Sequence, residues 1–574
     1  MAQSRTFEPN TDPEAVRRSD VAAAVVLLRA LARHGVTLAF GIPGGSVSPL
    51  FDALVEVPEI TYVATRHEAI AAFAAMGHAR MTHRPALVLT TSGPGITNAV
   101  TGIAAASVEE LPLILIGGDV AMRAAGRGAL QDGTSAGLDT EAILRSVTRW
   151  SYRITSPEGI SGVAECAWRA ALGDRPGPVF LSVPLDIGTA SATRVRIVPP
   201  QRTTVHADPA ACFEAATRLA SAHRPLMVLG NGARSAAHEA LQVAERLSAP
   251  VVVTPHAKGA FPESHDLYCG VLGVGQHPSV TEYLAQGPDV TCIVGSRLGD
   301  IATNGWSTDL RGSEAAIQID REPWLIGRNL AVSLGIVGDA ADVLRQIAGY
   351  LASNIARPIR RVGGCRSLHP ESCLSDAVPL KPQRVLAALS EAFPDAIWCS
   401  DIGEHLTMAL HYLRIDRPHH FHAMTGLGSM GSGIGMALGI KRTLPQATVI
   451  GLCGDGGIAM HAGELLTCAE SGIGVIYAVF NDGLWNMVEH GFRAVYGRAP
   501  RGLPTVVANL AGVASSFGAV GALVSEPADL EPGLLRQYAA SGKPVLLDIR
   551  IDPSESLSKG TRSAALRHFA VGGT

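Results

Sequence analysis

Residues 447–457 read Ala447-Thr448-Val449-Ile450-Gly451-Leu452-Cys453-Gly454-Asp455-Gly456-Gly457, and residues 475–481 read Val475-Ile476-Tyr477-Ala478-Val479-Phe480-Asn481. Each is an apolar run of strand length that stops at a polar residue, and the stretch between them has helical spacing. In a strand–helix–strand unit with parallel strands, both strand ends reach the same edge of the sheet. Asp455 and Asn481 therefore converge, each offering a hard oxygen. Such ligands suit Mg²⁺, which takes few protein groups and completes its shell with phosphate and water. Gly454, Gly456 and Gly457 frame the start of the helix, where bare backbone N–H groups can face a diphosphate. The object expected is a Mg²⁺-diphosphate site; the alternative is an ordinary turn of a βαβ unit.

Composition is compatible with a large enzyme. The 574 residues exceed one hydrophobic core, so about three domains are expected. A content of 47% hydrophobic and 17% charged residues is that of a well-buried globular protein. The formal net charge of −4 argues against a nucleic-acid surface. The nine cysteines include no Cys-x-x-Cys pair, which fits reduced thiols in the cytoplasm better than a disulfide framework or a zinc site. Met1 to Asp20 is polar, so no signal peptide is expected, and no apolar run reaches membrane-spanning length.

Strands alternate with helices along the chain, which predicts α/β architecture with parallel sheets covered on both faces. After a polar tail (1–19), a first domain (20–190) contains a helix over Val21–His34. Its strands are predicted at Thr37–Gly41, Ile60–Thr65, Ala86–Thr91, Leu113–Gly117 and Val179–Pro184, with a helix over Ala69–Arg80. A central domain (200–350) has strands near Pro225–Gly230, Val251–Thr254, Val290–Gly295 and Ala316–Asp320. Residues 351–380 read as a linker, 381–552 as the third domain and 553–574 as a tail. The first and third domains share a pattern of strand, glycine-rich turn and helix. Glu68, at a predicted strand end, is a candidate acid–base group; a first-turn glutamate on the surface is the competing explanation. The lone histidines His34, His78 and His265 default to structural roles.

Taken together, Gly454–Gly457 with Asn481, Thr425-Gly426-Leu427-Gly428-Ser429-Met430-Gly431 and Gly403-Glu404-His405-Leu406 resemble segments of the thiamine diphosphate enzymes, acetolactate synthases in particular. The resemblance runs over roughly residues 20–552. It implies three doubly wound domains, a pyrimidine-binding first and a diphosphate-binding third flanking a nucleotide-binding-like centre. It implies that Asp455, Asn481 and the Gly483 carbonyl hold Mg²⁺, and that Glu68 activates the aminopyrimidine ring. A largely buried carboxyl there would have a raised pKa, which suits proton sharing. Met430 would wedge between the cofactor's two rings, and the Gly428 carbonyl would accept from its amino group. Gly403, Glu404 and His405 would lie against diphosphate and substrate. Glu404 stands where the family has glutamine, so it is expected to turn away from the phosphates or reach them through water. Ser92-Gly93-Pro94-Gly95-Ile96-Thr97-Asn98 would shape the cofactor pocket. Gln131 could hydrogen-bond substrate or be a surface amide. Met487-Val488 would line the substrate pocket, with Trp485 capping it or serving as core. The biosynthetic members have tryptophan where this chain has Gly491, so the resemblance leans toward the catabolic synthases.

The implied activity is decarboxylation of a 2-oxo acid, pyruvate first, and transfer of the acyl unit to a carbonyl acceptor. Alternatives are a simple decarboxylase, an acyloin-forming lyase with another acceptor, or a cofactor-retaining regulatory subunit or pseudoenzyme. Gly230-Asn231-Gly232, Gly295–Asp300 and Ile319-Asp320 resemble nucleotide-contacting positions of flavin-containing members. Gly273-Val274-Gly275-Gln276 departs from their Gly-Met-His-Gly, so FAD is expected to be absent or without redox function. The expected assembly is a cytoplasmic homodimer or homotetramer with active sites at its interfaces, binding small molecules and neither nucleic acid nor membrane.

Overall fold

The computed structural model describes residues 21–192, residues 206–351 except Thr308, and residues 364–557 except Thr505. The expected N-terminal tail, residues 352–363 of the linker and residues 558–574 of the C-terminal tail lie outside the described residues. Three six-stranded, wholly parallel sheets form the architecture, beside a short antiparallel pairing of Val21–Ala22 with Ser191–Ala192. Their inner strands are short, mostly β-branched and aliphatic runs buried on both faces, as helix-covered parallel sheets require.

The first sheet is built from Leu38–Gly41, Thr61–Ala64, Ala86–Thr90, Leu113–Asp119, Trp150–Arg153 and Pro178–Pro184. Numbered in chain order, they lie side by side as 2-1-3-4-6-5. The third sheet is built from Ile397–Ser400, Phe421–Ala423, Val449–Gly454, Ile476–Asn481, Val520–Val524 and Val545–Arg550, in the same 2-1-3-4-6-5 order. One topology thus occurs twice. The central sheet differs. Leu226–Leu229, Val251–Val253, Tyr268–Val271, Val290–Val294, Ala315–Asp320 and Leu334–Val337 run 3-2-1-4-5-6, the order of dinucleotide-binding folds.

The first and third domains share one core. Helix Glu68–Thr82 lies against helix Ser432–Thr443, and glycines set the distance between them. A Cβ at Gly439 would sit 2.0 Å from the Ala74 carbonyl oxygen, and one at Gly77 would sit 2.4 Å from that of Met436. Helix Glu68–Thr82 is consequently buried nearly all round, which explains its alanine-rich, weakly amphipathic sequence. A buried ion pair of the central domain hydrogen-bonds to the backbone of the third. The Lys258 ammonium contacts both Glu263 oxygens at 3.0 Å and donates to Leu410 O at 3.1 Å. Among the described residues no helix is long and apolar enough to cross a membrane.

Candidate functional site

Strands Val449–Gly454 and Ile476–Asn481 are parallel neighbours, Gly454 opposite Phe480. Their ends place Asp455 and Asn481 side by side at the carboxyl edge of the third sheet. Asp455 begins helix Asp455–His461. The Asn481 amide is oriented by its surroundings: Nδ2 donates to Asp548 Oδ1 at 2.7 Å and to Ala508 O at 3.1 Å. A carboxylate and a carbonyl can only accept, so the nitrogen must face them. That leaves Asn481 Oδ1 buried without a partner. Burial pushes the Asp455 carboxyl up to about 6, against the N–H groups of Gly456 and Gly483, which pull it down. An orphaned amide oxygen beside an under-solvated carboxylate fits a hard cation. Gly483 reaches Asp455 through its N–H and turns with φ +71. Among the described residues no three His, Cys, Asp or Glu side chains gather as a metal site. The hard oxygens that the two strand ends bring to this edge are the Asp455 carboxylate and the Asn481 amide oxygen.

A cavity of about 290 Å³ opens beside this edge. The turn Gly454–Gly457 forms one wall, Gly403–His405 a second, Gly428 with Met430 a third, and Trp485–Val488 a fourth. Gly428 has φ +75, and a Cβ there would meet no atom within 4 Å, so the loop leaves open space at its crest. Met430 and Trp485 converge over Gly456, whose Cβ would lie 3.4 Å from Met430 Cε and 2.8 Å from Trp485 Nε1. His405 is buried, its imidazole held down to about 4 by desolvation, and its Nε2 has no partner. Glu404 turns toward the chain's end: Oε1 accepts from Ser556 Oγ at 2.8 Å and from Leu557 N at 3.0 Å. With Oε1 so engaged, Glu404 still borders the cavity.

Three functional groups here were not singled out from the sequence. Asp548 orients Asn481, and its one signal is an acid inside the apolar run Val545–Arg550. Asp401 is fully buried and holds the glycine loop: Oδ2 accepts from Gly431 N at 2.9 Å and Oδ1 from Gly433 N at 3.1 Å. Burial raises its carboxyl to about 6 despite those bonds. Asp482 also lines the cavity, pushed up to about 7 by burial, with its carboxylate on Leu484 N and Asn486 Nδ2.

The first-domain candidates form a separate group. Glu68 starts its helix after His67, whose Nδ1 accepts from Ala69 N at 3.1 Å. Glu68 is 6% exposed, and its Oε2 accepts from Asn98 Nδ2 at 3.1 Å. The turn Ser92–Asn98 thus packs directly on Glu68. Gln131, with φ +61, lies over the same turn; Ser92 Oγ donates to its carbonyl at 2.6 Å. Neither Glu68 nor Gln131 lines the cavity at Asp455, whose walls come wholly from residues 382–555. Within one chain the supports of the two groups do meet: Glu464 Oε1 accepts from Arg66 N at 2.9 Å and His67 N at 3.0 Å.

The central domain's carboxyl edge is closed where a dinucleotide would cross it. Gly230 N donates to Val294 O at 2.8 Å and Gly232 N to Gly295 O at 3.0 Å, so the turn amides available to a phosphate are already engaged. A Cβ at Gly295 would sit 2.6 Å from Gly232. Asn231 accepts from Arg80 of the first domain at 3.4 Å.

Comparison with known proteins bears on both groups. Three family models match in order: the N-terminal TPP binding domain of thiamine pyrophosphate enzymes over residues 21–140, their central domain over 213–347, and their C-terminal TPP binding domain over 401–549. A probable acetolactate synthase large subunit of Methanocaldococcus jannaschii is 32% identical over 561 residues, covering 93% of this chain and 92% of the relative. The acetolactate synthase isozyme 3 large subunit of Escherichia coli is 32% identical over 558 residues, covering 93% and 96%. The acetolactate synthase large subunit of Corynebacterium glutamicum is 32% identical over 547 residues, covering 92% and 86%.

Proposed function

The chain belongs to the thiamine pyrophosphate enzymes, and from that premise we propose that it decarboxylates a 2-oxo acid, pyruvate first, and joins the acyl unit to a carbonyl acceptor. The observation that carries the reading is the orphaned Asn481 Oδ1 beside the buried Asp455 carboxyl, at the mouth of a glycine-walled cavity. Thiamine diphosphate, when bound, supplies the electron sink for decarboxylation. The chain's part is to hold and orient it. Asp455, Asn481 and Gly483 hold Mg²⁺, and the first-turn amides after Gly454 face the diphosphate. Gly428 and Met430 set the ring geometry, with Met487 and Trp485 walling the substrate side. Glu68, kept in place by Asn98, would be the group that holds and gives up a proton toward the pyrimidine ring. Flavin is left out of the proposal, because the turn amides of the central sheet are engaged.

Glu68 and Asp455 lie in different domains and do not share a cavity in one chain. We therefore extend the proposal to a symmetric dimer, alone or paired as a tetramer, in which the first domain of one copy completes the third-domain cavity of the other. The relatives are named large subunits; for this chain the proposal is limited to self-assembly. The division into domains at 20–190, 200–350 and 381–552 and a cytoplasmic location belong to the same reading. The test is direct. Incubated with pyruvate, thiamine diphosphate and Mg²⁺, with and without added aldehydes and keto acids, the protein should release CO₂ and form a carboligation product. Calorimetry should find thiamine diphosphate binding that is abolished in Asp455→Ala. Binding unchanged in that variant would remove Asp455 from the site, and acetaldehyde as the sole product would favour a simple decarboxylase.

A further inference from the structure

All three domains meet at one polar junction, and it touches the glycine loop that walls the proposed cofactor cavity. Its centre is Glu109, the last residue of helix Pro94–Glu109, which is 6% exposed. Oε2 accepts from Arg80 Nη2 of the first domain at 2.9 Å. Oε1 accepts from Gly426 N of the third domain at 2.9 Å and lies 3.3 Å from His256 Nε2 of the central domain. The Thr425 hydroxyl lies on the same imidazole edge, 2.7 Å from Nε2 and 3.0 Å from Nδ1. The backbone of His256 is fixed in turn, because Arg234 donates to its carbonyl at 2.8 and 2.6 Å and to Phe421 O at 2.9 Å. Burial alone would raise the Glu109 carboxyl, but His256, Arg80 and the Gly426 N–H overcome it and hold the group down at about 2.

Gly426 has to be glycine for this approach, since a Cβ would sit 2.7 Å from Val108 Cγ1 and 2.8 Å from Glu109 Oε1. Two residues on, Gly428 turns with φ +75, and Gly431 N is held by Asp401 Oδ2 at 2.9 Å. The loop is therefore pinned at both ends by buried carboxylates. One comes from its own domain; the other, Glu109 of the first domain, takes Gly426 N directly, and His256 of the central domain braces that carboxylate and the neighbouring Thr425. The crest between the pins carries Gly428 and Met430, and a Cβ added at Gly428 would meet no atom within 4 Å.

We propose that Glu109, His256 and Thr425 are positioning residues that set the height of the Gly428–Met430 crest and so the geometry of the bound cofactor's rings. The inference rests on the thiamine diphosphate reading. The diphosphate anchor at Asp455 and Asn481 is separate from this junction, so the two contributions can be measured apart. A ring misplaced by a fraction of its contact distance loses rate while its anchor holds, since displacement of about 1 Å costs about 10²-fold.

The test uses His256→Ala and Thr425→Val, which leave the buried Arg80–Glu109 pair intact and so avoid an unpaired buried charge. Thr425→Val keeps the side chain's size and serves where His256→Ala folds poorly. In both, calorimetry with thiamine diphosphate and Mg²⁺ should give an affinity near that of the wild type. Exchange of the cofactor's C2 proton, followed by NMR on the saturated protein, should slow by about 10- to 10²-fold. The near-ultraviolet circular dichroism of the bound cofactor should change with it. Unchanged exchange and dichroism with a lowered melting temperature would mark the junction as structural and overturn the proposal. A wild-type protein that binds no thiamine diphosphate would overturn the functional reading, and this inference with it.

Discussion

Glu464 ties the turn before Glu68 to the helix that follows Asp455. Its Oε1 takes the Arg66 and His67 N–H groups, Oε2 takes the Thr467 hydroxyl, and it is 1% exposed. Burial pushes its carboxyl up to about 7, and those hydrogen bonds and the Arg66 charge only partly oppose this. A raised folded-state value means the folded protein holds this proton more tightly than the unfolded chain. The stability it contributes is complete below the ordinary carboxyl value of 4.5 and is lost as pH rises through about 7. At one pKa unit per 1.36 kcal/mol, the loss is at most about 3 kcal/mol. Glu464→Gln cannot titrate, so its melting temperature relative to the wild type should climb between pH 4.5 and 7; a constant difference would contradict this. The catalytic candidates are a different kind of residue. What marks Glu68 is Asn98, which donates to its carboxylate, and the cavity it would complete in another copy.

At the scale of elements, the paired helices Glu68–Thr82 and Ser432–Thr443 hold the first and third domains together. Gly439→Ala would press a methyl into the Ala74 carbonyl at 2.0 Å, with no flexible side chain to give way. The expected cost is about 1–3 kcal/mol, read as a lower denaturation midpoint. An unaffected midpoint would mean that the helices part at no cost. Strands with continuous apolar runs were legible: Ala86–Thr90, Val251–Val253, Val290–Val294, Val449–Gly454 and Ile476–Asn481 fall within a residue or two of their predicted places. Trp150–Arg153 escaped because it is a half-exposed edge strand with no apolar run. Tyr268–Val271 escaped because Cys269 and Gly270 interrupt its pattern, Gly270 bending at φ +130 over His277. Residues 334–344, which close the central block in sequence, divide into strand Leu334–Val337 and the start of helix Ala340–Tyr350, separated by Asp339 as the helix cap. The repeat of 2-1-3-4-6-5 in two sheets was visible only as a shared local pattern, since strand order depends on pairing that no local segment encodes.

At the scale of the molecule, the candidate site was legible where chemistry and chain run together. Asp455 and Asn481 are joined by one βαβ unit, so spacing alone brought them to one edge. Asp548, Asp401 and Glu109 were not legible, because each acts on a segment far away in sequence: Asn481, Gly431 and Gly426 respectively. The central claim is that catalysis needs Glu68 of one copy beside Asp455 of another. One chain supports this by keeping Glu68 and Gln131 outside the Asp455 cavity, while exposed Leu130, Met460, Trp485 and Phe492 leave apolar surface beside both groups. Subunit complementation tests it. Glu68→Gln and Asp455→Ala should each be inactive alone. Mixed under conditions that exchange subunits, they should regain activity, because a mixed dimer holds one site with both native residues. Exchange demonstrated by mass-labelled subunits with no recovered activity would contradict the account and place the whole site within a single chain.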